Sequence, residues 1–207
     1  TTVGIDIIIT TTIITTTFTT TIITFTTTDT SADASDLVDP NVKVDTFTTT
    51  TVATITEAAA TIGTDAATVV SALGVASNAA VTITGAISAA DLDLIANATN
   101  GVVTATISDG AVAATLTAIG NVDANDVITF TTTDTSADAS DLVDLNAKVD
   151  NFTATTVTTI TEAAATIGTD AATVLSALGV ASNAAVTITG AISAANADLI
   201  ADATNGV

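Results

Sequence analysis

The chain has no His, Cys, Met, Trp, Tyr, Arg or Gln, and Lys43 and Lys148 are its only cations. Without His, Cys, Tyr and Arg, nucleophilic, general-base and phosphate-clamping chemistry lose their usual side chains, and no Gly-rich phosphate loop is present. Carboxylate pairs remain, but a glycosidase built on them calls for the aromatic platforms of a sugar site, and five Phe are the whole aromatic inventory. The sequence therefore predicts no enzyme, no catalytic or cofactor-binding residue and no small-molecule substrate. The lack of Cys removes disulfide frameworks and thiol sites together. A formal charge of −20 with no basic patch repels phosphate backbones and anionic lipid, which argues against nucleic acid as a partner. There is no initiator Met and no signal-sequence pattern, so the chain reads as a mature or excised piece. The longest uncharged windows, 66–90 and 171–197, reach membrane-spanning length. Ser, Asn, Thr and Gly interrupt both, and they read as buried strand-helix pairs, with no membrane span.

What is present is a narrow alphabet. Thr supplies roughly a quarter of the residues, far above ordinary usage, and 48% of the chain is apolar. A mean hydropathy of +0.66 separates it from disordered acidic chains, which are too polar to form a core. Residues 23–102 recur as residues 128–207 at a constant offset of 105, with nine differences. ITFTTTDTSADASDLVD opens each copy, VTITGAISAA lies near its end, and both copies stop at Gly-Val. Self-similarity at a fixed period signals an array of stacked units. Three regions follow: 1–22, a β-branched leader or a poorly assigned segment; 23–127, the first period; and 128–207, the second, incomplete period. The leader is nearly all Thr and Ile, a composition suited to pairing along a sheet edge.

Within each period, β-branched runs alternate with Ala-rich segments that carry helix punctuation. The strand candidates are 23–28 and 128–133, 50–56 and 155–161, 81–85 and 186–190, and 102–108. Their markers Val103, Ile128, Val157 and Val186 stand 25, 29 and 29 residues apart, a spacing typical of solenoids with one strand and one helix per coil. Thr64 and Thr169 are expected to cap helices whose next residues, Asp65 and Asp170, complement the dipole. Ala66, Val69, Val70 and Leu73 then fall on one face, and Gly74 ends the first of these helices. Ser88 and Asp91 form a capping-box pattern flanked by Ile87 and Leu92 as a hydrophobic staple. Asp109 is expected to open a third helix, with Val112, Leu116 and Ile119 inward. A fourth runs from about Ser136 to Lys148 with an Asp144–Lys148 pair, and Pro40 is expected to shorten its first copy. Short connections between alternating strands and helices imply parallel strands and right-handed crossovers. The expected fold class is α/β, a right-handed solenoid of strand-helix coils with a parallel sheet and two 105-residue sequence periods.

Two sets of residues suggest binding. Asp29, Asp33, Asp36 and Asp39, like Asp134, Asp138, Asp141 and Asp144, are spaced by 4, 3 and 3, which would put each set on one side of a helix. They are candidate calcium ligands, because calcium prefers oxygen and would relieve their repulsion; the alternative is a solvated acidic face, with no metal site. Thr104, Thr106, Thr129, Thr131, Thr187 and Thr189 would form a T-x-T ladder resembling the ice-binding faces of some antifreeze solenoids, with Val157 and Ile160 breaking the alternation between ranks. A plain solvent-exposed or sheet-packing face is the other reading of that ladder. Asn97 and Asn151 begin N-glycosylation sequons, but each is replaced in the other copy, by Asp202 and Thr46.

The alphabet and the phrase VTITGAISAADLDLIANATNGVVTATISDG resemble the very long Ala/Thr/Asp-rich tandem-repeat proteins of bacterial cell surfaces, those of marine cyanobacteria especially. The resemblance covers residues 23–207 and implies an extracellular or cell-surface location with a fibrous or adhesive role. The expectation is thus a structural subunit or excised segment of an extracellular filament or surface array, partnered by copies of itself end to end. The alternatives are a calcium-dependent extender region of a repeat adhesin and a Thr-ladder ice-binding protein.

Overall fold

The computed structural model describes residues 8–12, 22–62, 66–168 and 171–205. Most of the leader lies outside these residues, as do Thr64, Asp65, Thr169 and Asp170, so the expected caps there are not described. The fold is α/β with mostly parallel sheets, and the chain divides into two compact units, Thr1–Thr106 and Ile107–Val207.

The first unit runs β1 (Ile8–Thr12), β2 (Ile22–Thr26), β3 (Ser31–Asp33), α1 (Ala34–Lys43), β4 (Thr46–Thr48), β5 (Thr54–Ala58), α2 (Ala59–Ile62), α3 (Ala67–Leu73), β6 (Ala80–Ile87), α4 (Ala89–Ala98) and most of β7 (Val103–Ile107). Its parallel pairs are β2 with β4 (Thr24 opposite Thr46), β3 with β5 (Ser31 opposite Thr54) and β5 with β6 (Thr54 opposite Ala80). Partners thus lie 22, 23 and 26 residues apart. β7 lies next to β6, where the Val81 N–H donates to the Val102 carbonyl at 2.9 Å. β1 is the exception, antiparallel to β2.

The second unit contains α5 (Val112–Ala118), β8 (Val127–Thr131), β9 (Ser136–Asp138), α6 (Ala139–Lys148), β10 (Asn151–Thr153), β11 (Thr159–Ala163), α7 (Ala172–Val180), β12 (Ala185–Thr189) and α8 (Ala194–Ala203). The same three offsets return: Thr129 opposite Asn151, Ser136 opposite Thr159, and Thr159 opposite Ala185.

Strand alternation sets the core. Ile55, Val81 and Ile83 point inward in the first unit and Ile128, Phe130 and Ile160 in the second, all buried, while the intervening Thr residues face outward. The helices pack on one another in chain order, α1 on α3 and α3 on α4, then α5 on α6, α6 on α7 and α7 on α8. Leu37, Val69, Leu73, Leu92 and Ile95 fill the first helix layer; Leu142, Leu145, Val174 and Leu178 fill the second. Ser88 caps α4 as the capping-box pattern predicts. Its Oγ accepts from the Asp91 N–H at 3.1 Å and donates to Asp91 Oδ2 at 2.7 Å, with Ile87 and Leu92 buried on either side.

Several expectations need correction. The segment 50–56 is strand only from Thr54; Val52 sits in a turn closed by its N–H to the Thr49 carbonyl. Val157 is in the equivalent turn, so it does not interrupt β11, where Thr159 and Thr161 alternate with buried Ile160 and Glu162. The fourth helix starts at Ala139, because Asp138 is extended (φ −71, ψ 142) and its carboxylate accepts from the Ser140 N–H at 3.0 Å. Pro40 does not shorten α1, which is ten residues long, as α6 is. Leu37 remains fully buried and the Pro40 carbonyl still accepts from the Val44 N–H, so the last turn survives the missing donor. Asp109 does not cap α5. The Val112 N–H is taken instead by Asp134 Oδ2 at 2.7 Å, from a residue 22 positions on.

Candidate functional site

The acidic residues are dispersed by this architecture. Asp33 and Asp138 are the N-caps of α1 and α6, and each also accepts from the hydroxyl of the following Ser. Asp134 serves α5, and Asp29 accepts from the Thr27 hydroxyl at 3.0 Å. Of the eight candidate calcium ligands only Asp36, Asp39, Asp141 and Asp144 lie within helices, so the expected four-carboxylate face is reduced to two residues on each of α1 and α6. Among the described residues, no group of three or more carboxylates is placed to share a metal ion.

The surroundings of Asp141 change its acidity. Burial, then Asp138, Asp144 and Glu162, raise its pKa. The folded state therefore disfavours the charged form relative to the unfolded chain. The stability this costs is absent at low pH, develops as pH rises through the unfolded pKa, and is complete above the raised folded value. Asp141→Asn should raise the urea midpoint at neutral pH, reflecting a gain of about a few tenths of a kcal/mol in unfolding free energy, small because solvent screens the site. The two midpoints should converge when the titration is repeated at about pH 3.

The two Lys residues behave differently. Lys43 makes the helical pair with Asp39 at 3.7 Å, both side chains largely exposed. Lys148 turns instead to the carbonyls of Ile119, Gly120 and Val122, at 3.2, 3.5 and 3.4 Å, where it satisfies acceptors left open after α5. In place of the expected pairing with Asp144, Lys148 thus clamps the C-terminal end of the preceding helix.

The Thr ladder is present in part. Thr161 stands beside Thr187 in register, and Thr187 and Thr189 are exposed. Thr106 is exposed, whereas Thr104, Thr129 and Thr131 are half-buried. Thr189 donates to the Glu162 carbonyl at 3.4 Å, so part of the ladder is used to tie neighbouring strands together. Of the sequons, Asn97 and Asn151 are exposed, while the Thr99 hydroxyl donates to the Ala79 carbonyl at 2.7 Å.

A cleft of about 310 Å³ in the second unit lies between Phe152–Val157 and Val180–Asn183 and holds no titratable side chain. One of the nine differences lies in its lining. In the first unit the Thr49 hydroxyl donates to the Val75 carbonyl, whereas the equivalent residue is Ala154, which cannot reach Val180. Ala154→Thr should restore that bond and stabilise the chain by about 1 kcal/mol in urea unfolding. An unchanged midpoint would show that the cleft is filled by solvent at no cost.

Two buried Glu residues were not singled out in the sequence. Glu57 and Glu162 occupy core-facing strand positions, and each turns its Oε1 back to the next residue's N–H and to a Thr hydroxyl four residues on. The T-I-T-E-A-A-A-T phrase was the available signal.

The remaining feature is the edge of β12. It pairs with β11 along one side and, among the described residues, with no strand along the other. Val186, Ile188 and Ile192 are half-buried, whereas the identical Val81, Ile83 and Ile87 of β6 are 0%, 5% and 4% exposed. Comparison with family models, with curated proteins and with solved structures gives no match. Among the described residues, no helix is long and apolar enough to cross a membrane.

Proposed function

We propose that this chain is a structural subunit or segment of an extracellular filament or surface array, in which a right-handed solenoid of strand-helix coils continues end to end in 105-residue periods. The observation behind this reading is the recurrence of the 22-, 23- and 26-residue parallel register in both units, together with the open edge of β12. A coil of this kind buries its apolar strand face only against neighbours, so stability comes from stacking, and the open edge of β12 suits a further strand. The dense negative charge keeps the sides of such an array from adhering to one another. Immunogold electron microscopy of intact cells tests the proposal: label is expected along surface filaments or a surface layer. Label found only inside sectioned cells would contradict it.

A further inference from the structure

We propose that the outer edge of β12 is a docking site for one more strand-helix coil with the residue pattern of 103–127, beginning V-V-T-A-T-I-S. The alternative occupant is the β2 end of a second copy. The inference rests on the filament reading and names the joint that the filament would use.

The first copy shows what covers this surface. Residues 81–88 and 186–193 are identical. β6 and β12 also meet their inner neighbours in the same register, Thr54 opposite Ala80 and Thr159 opposite Ala185. At the outer edge of β6, the Val81 N–H donates to Val102, and the inward residues of β7, Val103 and Ala105, are 0% and 5% exposed. Val81 and Ile83 are buried there, and their counterparts Val186 and Ile188 are not. A strand carrying Val and Ala at alternate positions is therefore the shape that this apolar edge accepts. The helix layer differs at one apolar position, Leu92 being Ala197, so recognition is assigned to the strand layer.

A second copy's β2 end fits less well for two reasons. Its edge is already taken by β1, antiparallel with Ile8 opposite Thr26. The same end bears Asp29, Asp33, Asp36 and Asp39, and α8 carries Asp198 and Asp202, so joining the two would bring like charges together, whereas V-V-T-A-T-I-S is uncharged.

The test uses the full 207-residue chain and a synthetic peptide of residues 103–127. Backbone donors alternate along a parallel strand. Ala185 N–H goes inward to Thr158, so those of Val186 and Ile188 face the open edge. Saturating peptide is expected to slow hydrogen exchange of these two amides by about tenfold or more, with Ala172–Val180 unchanged. Ile188→Pro removes an outward donor and should abolish the protection; unchanged exchange in α7 confirms that the variant is folded. A chain extended after Val207 by the sequence of residues 103–127 should show the same protection without added peptide. Unprotected amides in both experiments would overturn the inference, as would protection of the unextended chain that rises with its own concentration and needs no peptide. Surface filaments on cells together with unprotected amides would leave the functional reading standing; docking without filaments would do the reverse.

Discussion

Phe130→Ala is expected to destabilise the second unit by about 3–5 kcal/mol, the range for removing a large buried aromatic side chain. Phe130 is fully buried in β8 and stacks on Phe152 of β10 with ring centroids 5.8 Å apart. Truncation leaves a cavity, uncovers one face of Phe152 and removes the ring that approaches Gly110. The first copy is a graded control. Phe25 is 7% exposed and meets Phe47 edge-on at 5.3 Å, so Phe25→Ala should cost less. Urea unfolding of both variants checks the ordering. Equal losses would mean that the two aromatic pairs are packed alike despite their different burial.

Gly101→Ala should be nearly as damaging, at about 3 kcal/mol or more, through overlap with backbone. A Cβ at Gly101 would overlap the carbonyl of Ala79 and lie 2.7 Å from the nitrogen of Ala80. Neither atom can retreat easily. The Ala79 carbonyl accepts from the Thr99 hydroxyl and the Ala80 N–H donates to Ala53 at the start of β6. Relief would require moving the Gly101 backbone away from the start of β6. Gly179 makes the useful comparison, since nothing lies within 4 Å of its added Cβ and it sits inside α7. Gly179→Ala should stabilise by about 0.5–1 kcal/mol. A Gly101→Ala variant with an unaltered melting transition would mean that the backbones of Gly101 and Ala79 are not packed as closely as the geometry requires.

The elements that could be read in advance were those whose determinants lie within a few residues. Ser88 and Asp91 are three apart, and Val69 and Leu73 share a helix face, so α4 and the inner side of α3 follow from spacing alone. The alternation of Ile and Phe with Thr likewise located β2, β8, β6 and β12. What was not legible depends on partners 20 or more residues away in the sequence. β3, β4, β9 and β10 are three residues each, too short for a periodic signal, and exist because β5, β2, β11 and β8 pair with them. Asp134 looked like one of four helical carboxylates, whereas its role is set by a backbone N–H 22 residues earlier. Lys148 had a carboxylate four residues away in sequence and binds carbonyls 26 to 29 residues away. Ala66 and Ala171 hold left-handed conformations, with φ of 53° and 54°, before α3 and α7. Ala gives no sign of such a position, which favours Gly or Asn.

X-ray fibre diffraction from aligned native material tests the central idea most directly, because stacked parallel coils place their strands across the long axis. The account predicts a meridional reflection at about 4.8 Å, the distance between paired strands. Material that never forms an elongated assembly, or whose strand spacing lies perpendicular to the fibre axis, would contradict it.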